Sequence, residues 1–260
     1  MAFQFSWDLH VHPGPSSVPR WGSGVEIRAA ARRAGLTGFV WKSHDRHTAR
    51  DCRELPPGPP WAIGSASLNE WASPSDVITA IEEGARWVWG STHNQGQVSW
   101  DLPLPAWWRS IADLLRHTQK PVVLGTGHLG PEGRRTMAEL AASSSHLRCS
   151  ITHSLYVPPT EVTALRDLGC VFEVDLYTGT RSIKGHPLVD LVAGVQTLLE
   201  LGALVYLTSD AGQVDVGDPY IFSAATLGRL ADRLGADVLQ ELAVTNPNEI
   251  AFRATEGLVS

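Results

Sequence analysis

Eight short β-rich apolar runs alternate with amphipathic helical stretches along the whole of this chain, and that rhythm constrains its fold more than any other feature. The runs are FSWDLHVH (5–12), TGFVWKSH (37–44), WAIGSASLN (61–69), ARWVWGSTH (85–93), PVVLGTGHL (121–129), LRCSITHSL (147–155), CVFEVDLY (170–177) and ALVYLTSDAG (203–212). Their starts lie roughly 20 to 36 residues apart, the length of one strand, one helix and two loops. Between them, Ser23 with Glu26 forms a capping box before VEIRAAARRAG, which stops at Gly35. Ser73 caps a second helix with Pro74 at its first position and Gly84 at its end. Leu188, Leu191, Val192, Val195, Leu198 and Leu199 follow helical periodicity, and 219–234 reads as a further helix.

This order predicts an α/β fold, a (β/α)8 TIM barrel with room for distortion. A doubly wound open sheet is the alternative, but it normally uses fewer strands, and no GxGxxG loop follows the first one. No repeat or long linker divides residues 1–260, which read as a single barrel domain. ELPPGPP (54–60) reads as a connection forming part of a lid.

In such a barrel, chemistry sits at the C-terminal strand ends, and polar residues concentrate there. His10 and His12 end the first strand, His44 the second, His93 the fourth, His128 the fifth and His153 the sixth, while Asp210 ends the eighth. Strand alternation turns Asp8, His10 and His12 to one face, and Lys42 with His44 to one face. Glu173 and Asp175 share a face of the seventh strand, and one of them is expected in the mouth because a buried acid facing helices is costly. His47, His117, His146 and His186 read as surface residues.

Imidazole and carboxylate without thiolate suit a divalent metal with a position left for water: Zn²⁺ first, Mn²⁺ or Fe²⁺ otherwise. Such an ion lowers the pKa of water toward ~7, and Asp210 is the candidate to carry its proton. Lys42 is costly inside a barrel unless it meets an anion, is modified, or pairs with an acid such as Asp45. Carbamylation of Lys42, bridging two metals, is one option. Trp107 and Trp108 read as packing outside the barrel, with an aromatic wall over the pocket, including Trp100, as the alternative.

The net charge of −6 without a basic block argues against nucleic acid. No apolar run approaches the roughly 18 residues a membrane span needs. Three scattered cysteines and an opening MAFQFSWDLH without signal-peptide character predict a cytoplasmic protein with reduced thiols. The expected partner is a small molecule, with self-association into a homo-oligomer compatible with the sequence.

DLHVH on the first strand, THSL on the sixth, TSDAGQ on the eighth and TNPNEIAF in a late helix resemble the amidohydrolase superfamily of metal-dependent hydrolases. DLHVHPGPS with WKSHDRHTA resembles one of its little-characterised subfamilies. The resemblance implies one or two divalent metals held by His10, His12, His128, His153 and Asp210. Binuclear members bridge their metals with a carbamylated lysine or a glutamate from strand four; strand four here ends WGSTHN, and Lys42 stands on strand two instead. The implied activity is hydrolysis of an amide, lactam, ester or lactone by activated water, with Asp210, Lys42 and His44 as catalytic candidates. Decarboxylation or other lyase chemistry, and phosphoesterase activity, are the alternatives on the same scaffold. Arg20, Arg46, Trp21 and Trp100 in the mouth loops suggest a substrate with an apolar or aromatic body and an anionic group.

Overall fold

The computed structural model describes residues 4–94, 97–177 and 190–255. Eight parallel strands lie side by side in chain order: β1 (Trp7–Val11), β2 (Gly38–Trp41), β3 (Trp61–Ser67), β4 (Trp87–Trp89), β5 (Val122–Gly125), β6 (Leu147–Ile151), β7 (Val171–Asp175) and β8 (Leu204–Thr208). The sheet curls until its first and last strands meet. A parallel bridge joins Val11 to Ala211, and the His12 amide donates to the Ala211 carbonyl at 2.8 Å. The result is a (β/α)8 barrel, as the strand–helix rhythm predicts.

Helices follow the strands because the local signals are present. α1 (Gly24–Arg33) carries the reciprocal Ser23–Glu26 box, and its Ile27, Ala30 and Ala31 are buried. A short α2 covers Ala49–Glu54. α3 (Pro74–Glu82) starts from Ser73, whose side chain accepts from the Asp76 amide. α4 (Trp108–His117), α5 (Pro131–Ala142) and α6 (Pro159–Asp167) complete the middle of the ring. α7 (Leu191–Glu200) buries Leu191, Val195 and Leu198, whereas Leu188 and His186 lie outside the described residues. α8 (Pro219–Leu234) spans the expected 219–234 and is capped by Asp218.

Inward and outward side chains form two separate cores. Phe39, Trp41, Val88, Leu124, Phe172 and Leu207 pack outward against the helices. Trp7, Leu9, Val40, Ile63, Trp87, Trp89, Val123, Val171 and Tyr206 fill the barrel, and Ile250, Ala251 and Ala254 of the last helix, α9 (Asn246–Thr255), join them. Asn246 Nδ2 donates to the Val205 carbonyl at 2.7 Å, and Ser6 Oγ to that of Val244 at 2.9 Å, tying this helix across the barrel floor. Trp108 packs outside the barrel, as expected; the interior indoles, Trp7, Trp87 and Trp89, are a finding of the structure.

Two expectations are corrected. Alternation does not bring Asp8 to the face of His10 and His12: the register slips between Asp8 and Val11, so that Leu9 and His10 both turn inward. The connection 54–60 is not a lid. It leads from α2 into the first residue of β3, at the barrel end opposite the strand termini, where Arg28 fastens it through the carbonyls of Pro57, Gly58 and Pro60.

Room for the interior indoles comes from Gly125, where an added Cβ would stand 2.4 Å from the Trp89 ring. Gly125→Ala is therefore expected to lower stability by about 1–3 kcal/mol. Gly228 on α8 has open space around it, so Gly228→Ala should raise stability by about 0.5–1 kcal/mol. Urea denaturation of the two variants beside the parent protein checks both signs.

Candidate metal centre

The slip in β1 places two imidazoles in the barrel mouth. His10 Nδ1 donates to Glu173 Oε1 on β7 at 2.8 Å, which leaves its Nε2 without a proton. That atom stands 3.1 Å from His12 Nε2 and 3.2 Å from Asp210 Oδ1, while His12 Nε2 lies 3.1 Å from the same oxygen. Three lone-pair-bearing atoms thus meet at one point in a buried site. A proton on His12 Nε2 relieves part of their repulsion; a cation between them relieves all of it. Their spacing suits the task, because a tetrahedral ion bound at about 2.0–2.1 Å holds its ligand atoms about 3.3 Å apart. The His12 Nδ1 is buried with no hydrogen-bond partner.

A second convergence shares Asp210. One ligand atom each from His153, Asp175 and Asp210 lies within 4.8 Å of the others. His153 Nδ1 donates to Asp175 Oδ2 at 2.7 Å. Both His153 (φ 52°) and Asp210 (φ 47°) adopt left-handed backbone at their strand ends, a conformation that costs roughly 1–2 kcal/mol for a non-glycine residue. Such outliers persist where the surroundings over-determine them.

Lys42 enters from β2. Its Nζ donates to His10 Nε2 at 3.1 Å and sits 4.4 Å above the Trp89 ring. It therefore adjoins the centre rather than Asp45, whose carboxylate instead accepts from Ser16 Oγ at 2.8 Å and from the Ser17 amide at 2.7 Å. His44 is one step removed: its Nδ1 meets Thr92 Oγ1 at 2.8 Å, and its ring stacks on His12 at 4.6 Å and on His93 at 4.2 Å. His128 also stands beside the centre, its ring 5.1 Å from that of His153 and stacked on Trp100 at 3.9 Å, with Nδ1 donating to the Ser99 carbonyl. His128 is in neither converging group.

Electrostatics sort these groups. Burial, reinforced by Lys42, holds His10 well below the usual imidazole range, and burial with Arg20 does the same to His12; both stay neutral, as ligands must be. Burial also pulls on His153, but the Asp175 carboxylate outweighs it and the imidazole pKa rises. Burial brings Lys42 down to about 8 against the pull of Asp210 and Glu173. Burial pushes Asp210 up to about 7.

Sequence reasoning expected one of Glu173 and Asp175 in the mouth; the structure turns both inward, each onto a histidine. Strand alternation puts Tyr206 on the face of Asp210 without giving it a role; in the structure its hydroxyl donates to Glu173 Oε2 at 3.0 Å and meets Ser150 Oγ at 2.8 Å. The period-two pattern Tyr206, Thr208, Asp210 carries that signal. Trp100 does stand at the mouth, in line with the aromatic-wall alternative.

Residues 6–100 match the model of a family of unknown function, DUF6282. No curated protein matches the chain. Solved structures do. The crystal structure of an Agrobacterium tumefaciens protein aligns with 13% identity and a TM-score of 0.62, covering 95% of this chain and 96% of that one. A lactonase from Listeria monocytogenes aligns with 15% identity and a TM-score of 0.62, over 95% of this chain and 94% of its own. The ochratoxinase of A. niger gives 13% identity and a TM-score of 0.61, over 95% and 71%. At such identities the likeness establishes the barrel. Among the described residues, no helix is long and apolar enough to cross a membrane.

Two outcomes follow. Glu173→Gln should weaken any divalent-metal affinity of the centre about 10–100-fold by releasing the His10 tautomer, read by competition with a chromophoric chelator. Asp45 is subject to burial, which raises its pKa, but the Ser17 and Ser16 hydrogen bonds win and lower it. Its contribution to stability is therefore present above the ordinary carboxylate pKa of about 3.9 and fades as pH falls through the lower, folded value. Urea midpoints of Asp45→Asn and the parent should differ at pH 7 and converge in the acid limb.

Proposed function

We propose that this protein is a metal-dependent hydrolase that uses activated water to cleave a C–N or C–O bond of a small molecule: an amide, lactam, ester or lactone. The observation that carries this reading is the meeting of His10 Nε2, His12 Nε2 and Asp210 Oδ1 within 3.2 Å at the mouth of a barrel. His10, His12 and Asp210 would hold one divalent ion, Zn²⁺ before Mn²⁺ or Fe²⁺ by donor type. His153 and Asp175, with Asp210 between the two groups, would serve a second. When bound, such an ion supplies Lewis acidity and makes water nucleophilic near neutral pH. Two structural neighbours named as hydrolases, a lactonase and an ochratoxinase, support the class of reaction.

The chain's own side chains divide the remaining work. Asp210 takes the proton of the attacking water and returns it to the leaving group, a role that its carboxylate at the meeting point of His10 and His12 in the mouth allows. Lys42, its Nζ 3.1 Å from His10 Nε2, brings positive charge beside the centre, which favours the negative charge that would develop on the carbonyl oxygen. His44 keeps His12 in orientation by stacking, while Glu173 sets the His10 tautomer. Carbamylation of Lys42 would replace the ammonium by a bridging carboxylate, and intact-mass measurement distinguishes the two forms.

The test is elemental analysis of protein purified without chelator, beside a His10→Ala/His12→Ala variant checked for fold by circular dichroism. Stoichiometric divalent metal in the parent and its loss in the variant are expected; equal content in both overturns the assignment. Asp210→Asn should retain the fold and lower turnover of lactone or amide substrates about 10²–10⁴-fold. Label from ¹⁸O-water appearing in the product carboxylate marks hydrolysis, whereas release of carbon dioxide marks a lyase.

A further inference from the structure

Arg20 lies in the loop after β1 and is built into the rim of the metal centre. It pairs in antiparallel fashion with Gln213, three residues beyond Asp210, and the next residue, Trp21, donates its amide to the Gly212 carbonyl at 2.8 Å. The loop is closed behind it by Gly14, whose amide donates to the Gly22 carbonyl at 2.7 Å. The Arg20 backbone is therefore fixed on both sides, and Gln213 Oε1 holds its guanidinium.

Its hydrogen bonding is incomplete. Nη1 donates to Gln213 Oε1 at 2.6 Å, a neutral amide. Nε is buried and has no partner, and among the described residues Arg20 forms no ion pair. Of the nearby carboxylates, Asp45 is taken by Ser16 and Ser17, Glu173 by His10 and Tyr206, and Asp175 by His153; Asp210 attracts Arg20 across space but makes no ion pair with it. Among the described residues, the side-chain hydrogen bond of this part-buried guanidinium goes to a neutral amide, and no carboxylate is in hydrogen-bonding contact with it. The edge left unused is the Nε–Nη2 fork, whose two parallel N–H groups match a carboxylate in bidentate fashion.

We propose that Arg20 receives the carboxylate of the substrate, so that the molecules cleaved here are anionic: amides, lactams, esters or lactones carrying a carboxylate beside the scissile bond. This rests on the hydrolase reading and adds to it the substrate class. Placement on the Gln213 side of Asp210 lets one molecule touch the guanidinium with its carboxylate and the centre with its carbonyl. Gln213 acts as the positioning residue that aims the fork.

The test is calorimetric binding of matched carboxylate and carboxamide pairs (benzoate with benzamide, N-benzoylglycine with its amide, a γ-lactone carboxylate with its amide) to the protein as purified and to the metal-stripped protein. The parent should prefer the anion about tenfold or more, in both metal states. Arg20→Gln should abolish the preference, Arg20→Lys should keep part of it, and binding of the carboxamides should be unchanged in both. An anion preference absent from the parent across all pairs, or undiminished in Arg20→Gln, overturns the proposal. A purely structural role for Arg20 weakens acid and amide alike and overturns it too. Failure of the hydrolase reading looks different: the preference persists in metal-stripped protein while metal content or turnover is missing.

Discussion

The seam where the barrel closes is the constraint on which everything else depends. Asp8, fully buried on β1, accepts from Thr208 Oγ1 at 2.6 Å, from Ser209 Oγ at 2.6 Å and from the Ser209 amide at 3.0 Å. Residues two hundred positions apart are thereby held in one register. The same seam carries His10 and His12 on one side and Asp210 on the other. A buried carboxylate removed from its donors leaves a severe desolvation penalty, so the side chain that does not face the centre decides whether the centre exists. Burial raises the Asp8 pKa despite those hydrogen bonds. The seam therefore holds a group whose ionised form is expensive to keep dry and depends on the donors of β8.

Within the mouth, charge compensation explains the arrangement of side chains. Glu173 and Asp175 each support a histidine, with opposite results. Glu173 fixes a neutral tautomer at His10, which burial, reinforced by Lys42, keeps neutral, while Asp175 raises the pKa of His153 against burial. Two imidazoles a ring apart, 5.6 Å between centroids, are thus shifted in opposite directions in one site. Separated environments of this kind are how one site offers both a lone pair and a proton. The left-handed backbone at His153 and Asp210 turns both side chains off the ends of their strands toward this shared centre, and local strain is the consequence.

Much of this was legible in the residues. Helix caps at Ser23 and Ser73, the alternation within β7 and β8, and the histidines at strand ends are local features read by local rules, and they placed the strands, the helices and the mouth. What escaped was non-local. A one-residue slip in β1 moved Asp8 off the face of His10 and His12, and nothing in WDLHV announces it, because the slip answers to pairing with β2 and β8. The proline-rich 54–60 looked like a lid by composition, but its end of the barrel is set by its falling between a helix and the next strand. A loop arginine is usually solvated; the partial burial of Arg20 depends on a bridge to Gln213 across the closed barrel.

The indole layer beneath the histidines has a consequence for traffic. Trp7, Trp87 and Trp89 fill the barrel from wall to wall, with the final helix stoppering the far end. His10 rests on Trp89 at 4.7 Å between rings. Among the described residues the barrel is packed beneath the centre, so the proposed substrate would reach the histidines from the side of the strand C-termini and its product would leave the same way. For the proposed hydrolase, exchange at that end would then set the pace alongside the chemistry.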